Sequence, residues 1–293
     1  MRVHHLNCGT WCPPAARLFN GTDGLGSPGK LVCHCLLIES DDGLVLVDTG
    51  LGVEDLEDPR ARIGPTWTAL MRPDADPELS ALRQIEDLGF YHDDVRHIIV
   101  THLDFDHAGG IPDFPEAKVH VFEPEYEAAM HPDTFRERFR YKPDHLKQAH
   151  EWVRYELEGD RWFGFEAVRT MGDLNLDILL IPLVGHTRGH CGVAVRTPEG
   201  WLLNAGDAYF HHDELWSSHE EPPLGLKLYE SVMHMDKQKR QANMDRLRTL
   251  AREQSRQVRI FSSHDPAELD AFRQPELVYP PIGTEPRFGR RNR

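Results

Sequence analysis

Four apolar runs in this chain each break off at a histidine or an aspartate. His97–Val100 leads into His102. Ile181–Val184 leads into His186, Trp201–Ala205 into Asp207, and Val258–Phe261 into His264. Short β-branched or aliphatic runs bounded by turn residues read as buried strands. Leu31–Ser40 and Gly43–Asp48 read as two adjacent strands joined by an Asp41, Asp42, Gly43 turn, and Val119–Phe122 reads as another strand. Helical patterns are interleaved with them. Pro77–Gly89 carries Leu79, Leu82, Ile85 and Leu88 near helical spacing, with Gly89 as its stop. Glu123–Met130 reads as helical. Asp236–Glu253 is amphipathic and basic on one face, as expected of an outer-layer helix covering a sheet. Strands and helices mixed in this way define an α/β chain.

Two segments break the rhythm. His131–Trp162 is polar, charged and aromatic (Phe135, Phe139, Tyr141, Trp152, Tyr155, Trp162) and reads as a helical excursion at about 131–162. His211–Leu228 is loop-like and closely follows Asp207. This makes Tyr209, His211 and His212 candidates for substrate contact.

At 293 residues the chain can bury a substantial core. Its net charge of -15 argues against nucleic acid, because phosphate contacts need clustered Lys and Arg. Arg287, Arg290, Arg291 and Arg293 read as a solvated tail. Five cysteines (Cys8, Cys12, Cys33, Cys35, Cys191) form an odd set without Cys-x-x-Cys pairs, so neither a disulfide framework nor a zinc knuckle is expected. Cys8 and Cys12 sit in an early loop that is able to approach a pocket. No signal peptide and no apolar stretch of about 18 residues is found, so the expectation is a cytoplasmic protein without a membrane span.

The segment Thr101–Gly110 holds His102, Asp104, Asp106 and His107, four ligand-type residues within six positions directly after a buried strand. Imidazole and carboxylate converging from several strand ends make a rigid metal site. In a polar turn such residues are also ordinary, and it is the set of four stations that gives the pattern its weight.

This ordered set resembles the metallo-β-lactamase superfamily. Its metal motif is usually His-x-His-x-Asp-His, followed by a Gly-His-Thr-x-Gly-His turn, an aspartate after a strand and a late histidine. The stations here are His102–His107, Gly185–His190, Asp207 and His264, preceded by the Asp48, Thr49, Gly50 motif. The wording Phe105–Gly110 is similar to that of N-acyl homoserine lactonase-like members. The resemblance spans about Val32 to His264. It implies a single domain over 1–293 with a four-layer αββα sandwich and two divalent metals, zinc first. It places one metal on His102, Asp104 and His186 and the other on Asp106, His107 and His264, with Asp207 and a hydroxide bridging them. It further implies that Asp48 orients a ligand histidine, that His190 is structural, and that Asp106 orients the attacking water or moves its proton.

Two positions depart from the family pattern. Asp104 stands where most relatives have histidine, which adds a negative charge and opens manganese or iron as alternatives to zinc. The flavodiiron branch also carries a carboxylate there, although this chain has no appended flavodoxin-like domain. If residue 104 lay outside the shell, one tightly held metal would remain. At the place of the lactonase tyrosine stands Phe210, with Tyr209 one residue earlier as the catalytic candidate. The implied activity is hydrolysis of a lactone or small ester, the alternatives being a thioester, a phosphoester or diiron redox chemistry. The implied partner is a small-molecule substrate, and a homodimer is left open.

Overall fold

The computed structural model describes residues 1–273 apart from 22, 23, 25, 171–175 and 217–221. The arginine-rich tail, and part of the segment read as a loop after His211, lie outside the described residues. Among the described residues, twelve strands form two six-stranded sheets. The first contains β1 (Arg2–Trp11), β2 (Leu31–Ser40), β3 (Gly43–Val47), β4 (Val95–Ile99), β5 (Lys118–Phe122) and β6 (Glu151–Tyr155), side by side in chain order. The second contains β7 (Asp160–Trp162), β8 (Phe165–Thr170), β9 (Ile178–Pro182), β10 (Cys191–Thr197), β11 (Gly200–Asn204) and β12 (Val258–Phe261), also in chain order. Both sheets are mixed. β3–β4, β4–β5, β5–β6 and β11–β12 pair parallel, and the remaining neighbours pair antiparallel.

Period-two alternation builds the layers. Leu36 and Ile38 of β2 face the second sheet and pack with Val45, Val47, Ile178, Leu180, Val193 and Val195. Their neighbours Cys35 and Leu37 face outward, against Ala81 and Ile85. On the other sheet Ala194, Leu203 and Ile260 face Met244, Leu247 and Ala251 of the helix Lys237–Glu253. Helices therefore cover both outer faces, which gives the expected αββα sandwich. No described helix is long and apolar enough to cross a membrane.

The expected strands at 31–40 and 43–48 and the helices at 123–130 and 236–253 form at those places, with Asp236 capping the last. Pro77–Gly89 is not one helix. A 3-10 turn Pro77–Leu79 stops at Ser80, whose side chain caps a separate helix Ala81–Asp87. The expected helical excursion is corrected as well. Only Phe135–Arg140 and Pro143–Leu146 are helical, while the rest supplies β6 and β7, an edge strand to each sheet. Trp152 lies on β6. It packs edge-on against Tyr126 at 5.4 Å on the outer face of the first sheet.

Candidate metal centre

The ligand-type side chains cluster just beyond strand ends, and several are aimed by a bond at their far side. After β3, Asp48 takes a left-handed backbone conformation (φ 55) and turns its carboxylate towards the end of β4. Thr101 N–H donates to Asp48 Oδ1 at 2.7 Å, and the Thr101 hydroxyl donates to Oδ2 at 2.9 Å. Asp48 Oδ2 also meets His107 Nδ1 at 3.0 Å. His102 Nδ1 lies 3.0 Å from Thr101 Oγ1, and His264 Nδ1 donates to the Val32 carbonyl at 2.7 Å. With one ring nitrogen fixed in this way, the other is presented to the centre.

The presented atoms meet around Asp207. Its Oδ2 is 3.4 Å from His186 Nε2 and 3.9 Å from His102 Nε2. Its Oδ1 is 3.2 Å from both His107 Nε2 and His264 Nε2. Asp104 Oδ2 joins the first set, 3.1 Å from His186 Nε2 and 3.5 Å from His102 Nε2. Asp106 joins the second, 3.7 Å from His264 Nε2 and 4.0 Å from His107 Nε2. Within each of the sets His102, His186, Asp207 and His107, Asp207, His264, ligand atoms come within 4.8 Å of one another. All seven residues expected from the sequence are thus brought together in two groups that share one carboxylate.

The turn holding Asp207 is fixed by His190, whose Nδ1 donates to the Leu183 carbonyl at 3.0 Å and whose Nε2 accepts from Asp207 N–H at 2.9 Å. His190 is therefore structural, as expected. Gly206 has φ +55, and a Cβ there would lie 2.5 Å from His190 Nε2, so only glycine lets the turn close on that ring.

His102 Nε2, His107 Nε2, Asp104 Oδ1 and Asp207 Oδ1 are buried without hydrogen-bond partners. Burial opposes the charged form of every group, yet the field overrides it in most. Asp104 is held well below the usual carboxylate range by Arg140 and His102, and Asp207 by His264 and His107. His107 is pushed well above an ordinary histidine by Asp207 and Asp48, and His264 is raised mainly by Asp207. In His186 burial wins and lowers the pKa to about 4. Imidazole nitrogens and carboxylate oxygens without partners are the donor set a divalent metal takes.

Several contributors were not visible in the sequence. Glu125 is buried and accepts from Leu103 N–H (3.0 Å), Tyr141 Oη (3.1 Å), Thr187 Oγ1 (2.6 Å) and Gly189 N–H (3.0 Å), which ties the two ligand-bearing turns together. Trp11 Nε1 donates to Asp106 Oδ2 at 3.2 Å. The segment expected to be an early loop is instead the end of β1, which reaches the site through Trp11, while Cys8 is buried elsewhere in the core. All five cysteines are free, and Cys33 Sγ comes within 4.8 Å of ligand atoms of Asp106 and His264.

Tyr209 is a correction. Its hydroxyl donates to Glu268 at 3.0 Å within the outer core of the second sheet, so it does not serve the site. Its neighbour Phe210 points the other way and stacks on His264 with ring centres 5.1 Å apart. His211 and His212 stack on each other, and His212 Nδ1 is 2.7 Å from Asp265, next to His264. Beside the centre lies an apolar cavity of about 530 Å³, lined by Phe19, Trp67, Met71, Phe139, Tyr229 and Val232 and reaching Arg140. Phe135, 79% exposed, stands at its rim. A second cavity of about 340 Å³, at the opposite end of the strands, includes no residue of the centre.

The metallo-beta-lactamase superfamily model matches residues 28–254, and the chain belongs to that superfamily. It is 38% identical over 266 residues to a probable metallo-hydrolase of Mycobacterium tuberculosis, covering 91% of this chain and 81% of that one. It is 28% identical over 257 residues to the N-acyl homoserine lactonase AttM of Rhizobium johnstonii, covering 87% and 90%. A solved N-acyl homoserine lactone hydrolase, with the product N-hexanoyl-L-homoserine at its catalytic metal centre, superposes with a TM-score of 0.68 at 21% identity. That match covers 92% of this chain and 95% of the other.

Proposed function

We propose that this protein is a metal-dependent hydrolase that opens a lactone, or cleaves a small ester, at a centre for two divalent metals. The observation that carries the reading is Asp207, whose two carboxylate oxygens each face a separate histidine set. His102, Asp104 and His186 would hold one metal and Asp106, His107 and His264 the other, with Asp207 shared. Zinc is the first choice, and Asp104 keeps manganese and iron open. Bound there, the metals would supply a water of lowered pKa and polarise the scissile carbonyl.

The chain's own groups supply the rest. Asp106, anchored by Trp11, orients the attacking water and takes its proton. Tyr229 packs edge-on to Phe210 at 5.7 Å on the cavity wall. Burial and the fields of Asp106, Asp207 and Asp104 push its hydroxyl pKa well up, so it stays protonated and available to donate to a developing oxyanion. In this role Tyr229 replaces the family tyrosine whose place Phe210 occupies. The apolar cavity suits an acyl or alkyl chain, and the lactonase relatives support a lactone carrying one.

The test is a panel of lactones, esters and thioesters of graded chain length, run on protein stripped of metal and reloaded. Metal-dependent lactone opening that favours longer chains is the expected result. Activity that survives metal removal, or is confined to thioesters, would refute it.

A further inference from the structure

Arg140 is one of the largest fully buried side chains. It ends the helix Phe135–Arg140, where a solvated arginine would be ordinary. Instead its Nε lies 3.4 Å from Asp104 Oδ1. Nη1 donates to the His186 carbonyl at 3.0 Å and Nη2 to the Met233 carbonyl at 2.8 Å. Those two carbonyl bonds fix the guanidinium plane independently of Asp104, and the guanidinium lies beside Asp104 Oδ1 as an ion-pair neighbour while Oδ2 faces His186 and His102.

We propose that Arg140 is the counter-charge that permits a carboxylate at position 104, so that Asp104 and Arg140 together replace a single neutral histidine. The inference rests on the metal-centre reading above. Replacing imidazole by carboxylate lowers the charge of the centre by one unit, and the guanidinium beside it restores that unit. The pair also leaves Asp104 Oδ2 facing His186 and His102. Because Arg140 holds the backbone of His186 as well, it is a positioning residue for two members of the same ligand set. A lysine, with a point charge and no planar fork, cannot make the three contacts at once.

The pairing makes position 104 conditional on position 140. Histidine at 104 in the presence of Arg140 would face a buried, unpaired cation beside the metals. The experiment compares wild type, Asp104→His, Arg140→Met and the double variant. Zinc affinity is read by chelator competition, and thermal unfolding is followed with and without zinc. Asp104→His alone is expected to bind zinc at least about tenfold more weakly, in line with the effect of removing partners that support a metal ligand. Adding Arg140→Met should recover most of that loss. Arg140→Met alone should lower the unfolding temperature of the metal-free protein more than that of the zinc-loaded protein, because zinc takes over the charge of Asp104. If Asp104→His fails to fold, recovery of folding in the double variant supports the pairing and continued failure overturns it. Wild-type zinc affinity in Asp104→His, or a double variant no better than Asp104→His, would also overturn it. If wild type binds none of zinc, manganese and iron, the metal-centre reading fails instead, and metal-free thermal unfolding of the same four proteins still decides whether the two residues are coupled.

Discussion

Replacing Glu125 by glutamine tests how the ligand turns are held, and its cost can be worked from contacts. Glu125 Oε1 accepts from Leu103 N–H and Tyr141 Oη, and Oε2 accepts from Thr187 Oγ1 and Gly189 N–H. An amide keeps one oxygen and presents N–H₂ in place of the other. Whichever way it turns, a donor meets a backbone N–H that cannot rotate away, whereas the threonine and tyrosine hydroxyls can turn to accept. One bond to a charged acceptor is lost, worth about 1.5–3 kcal/mol, and one buried donor is orphaned, at about 1–3 kcal/mol. Taking about 3 kcal/mol in total, and about 2–4 °C per kcal/mol for a domain of this size, Tm should fall by roughly 6–12 °C. Scanning fluorimetry checks this, and elemental analysis should show metal loss, since His102 and His186 sit on the two turns. An unchanged Tm with full metal content would refute the claim that Glu125 joins them.

Other outcomes follow from the same contacts. Tyr229→Phe should lower kcat with little change in metal content, whereas Tyr209→Phe should cost stability through Glu268 and leave kcat near wild type; steady-state kinetics on both separates the two tyrosines. Val232→Trp, which fills the apolar cavity, should reduce kcat/KM for long-chain lactones far more than for short ones. Asp113 is raised to about 7, chiefly by burial, against an unfolded value near 3.9. The folded state therefore holds the extra proton, and stability is lost as pH rises from about 4 to 7. Asp113→Asn should accordingly stabilise by about 1–2 kcal/mol at pH 8 and by little at pH 4, read from denaturant titrations at both. His5 and His120 have the opposite sign. Both are lowered to about 3 by burial, so the unfolded state binds more protons below pH 6.5 and stability falls on acidification through that window.

The metal ligands were legible because each follows a short apolar run, and a strand end places its next few residues predictably. Asp48 was legible for the same reason. Tyr209 was misplaced because a 3-10 turn, Gly206–Ala208, separates it from β11, and the strand's alternation does not carry across that turn to decide which of Tyr209 and Phe210 faces the centre. β6 and β7 were hidden because edge strands carry many polar residues and draw stability from their neighbours: Glu151–Tyr155 is only half-buried and is held by its parallel pairing with β5. Glu125, Arg140 and Tyr229 were out of reach for a further reason. Each is far in sequence from the ligands it serves, and a charged or phenolic residue on a helix ordinarily faces water. Only the packing of the helices 123–130, 135–140 and 224–233 over the centre assigns them roles.

The account's central claim is that Asp207 is shared between two metals, and counting metal per chain tests it most directly. Wild type and Asp207→Ala would be purified without chelator, dialysed together and measured by elemental analysis, with circular dichroism as the check on folding. Two divalent metals in wild type, and a folded Asp207→Ala that has lost most of both, is the predicted result. A folded Asp207→Ala that retains the wild-type complement would contradict it.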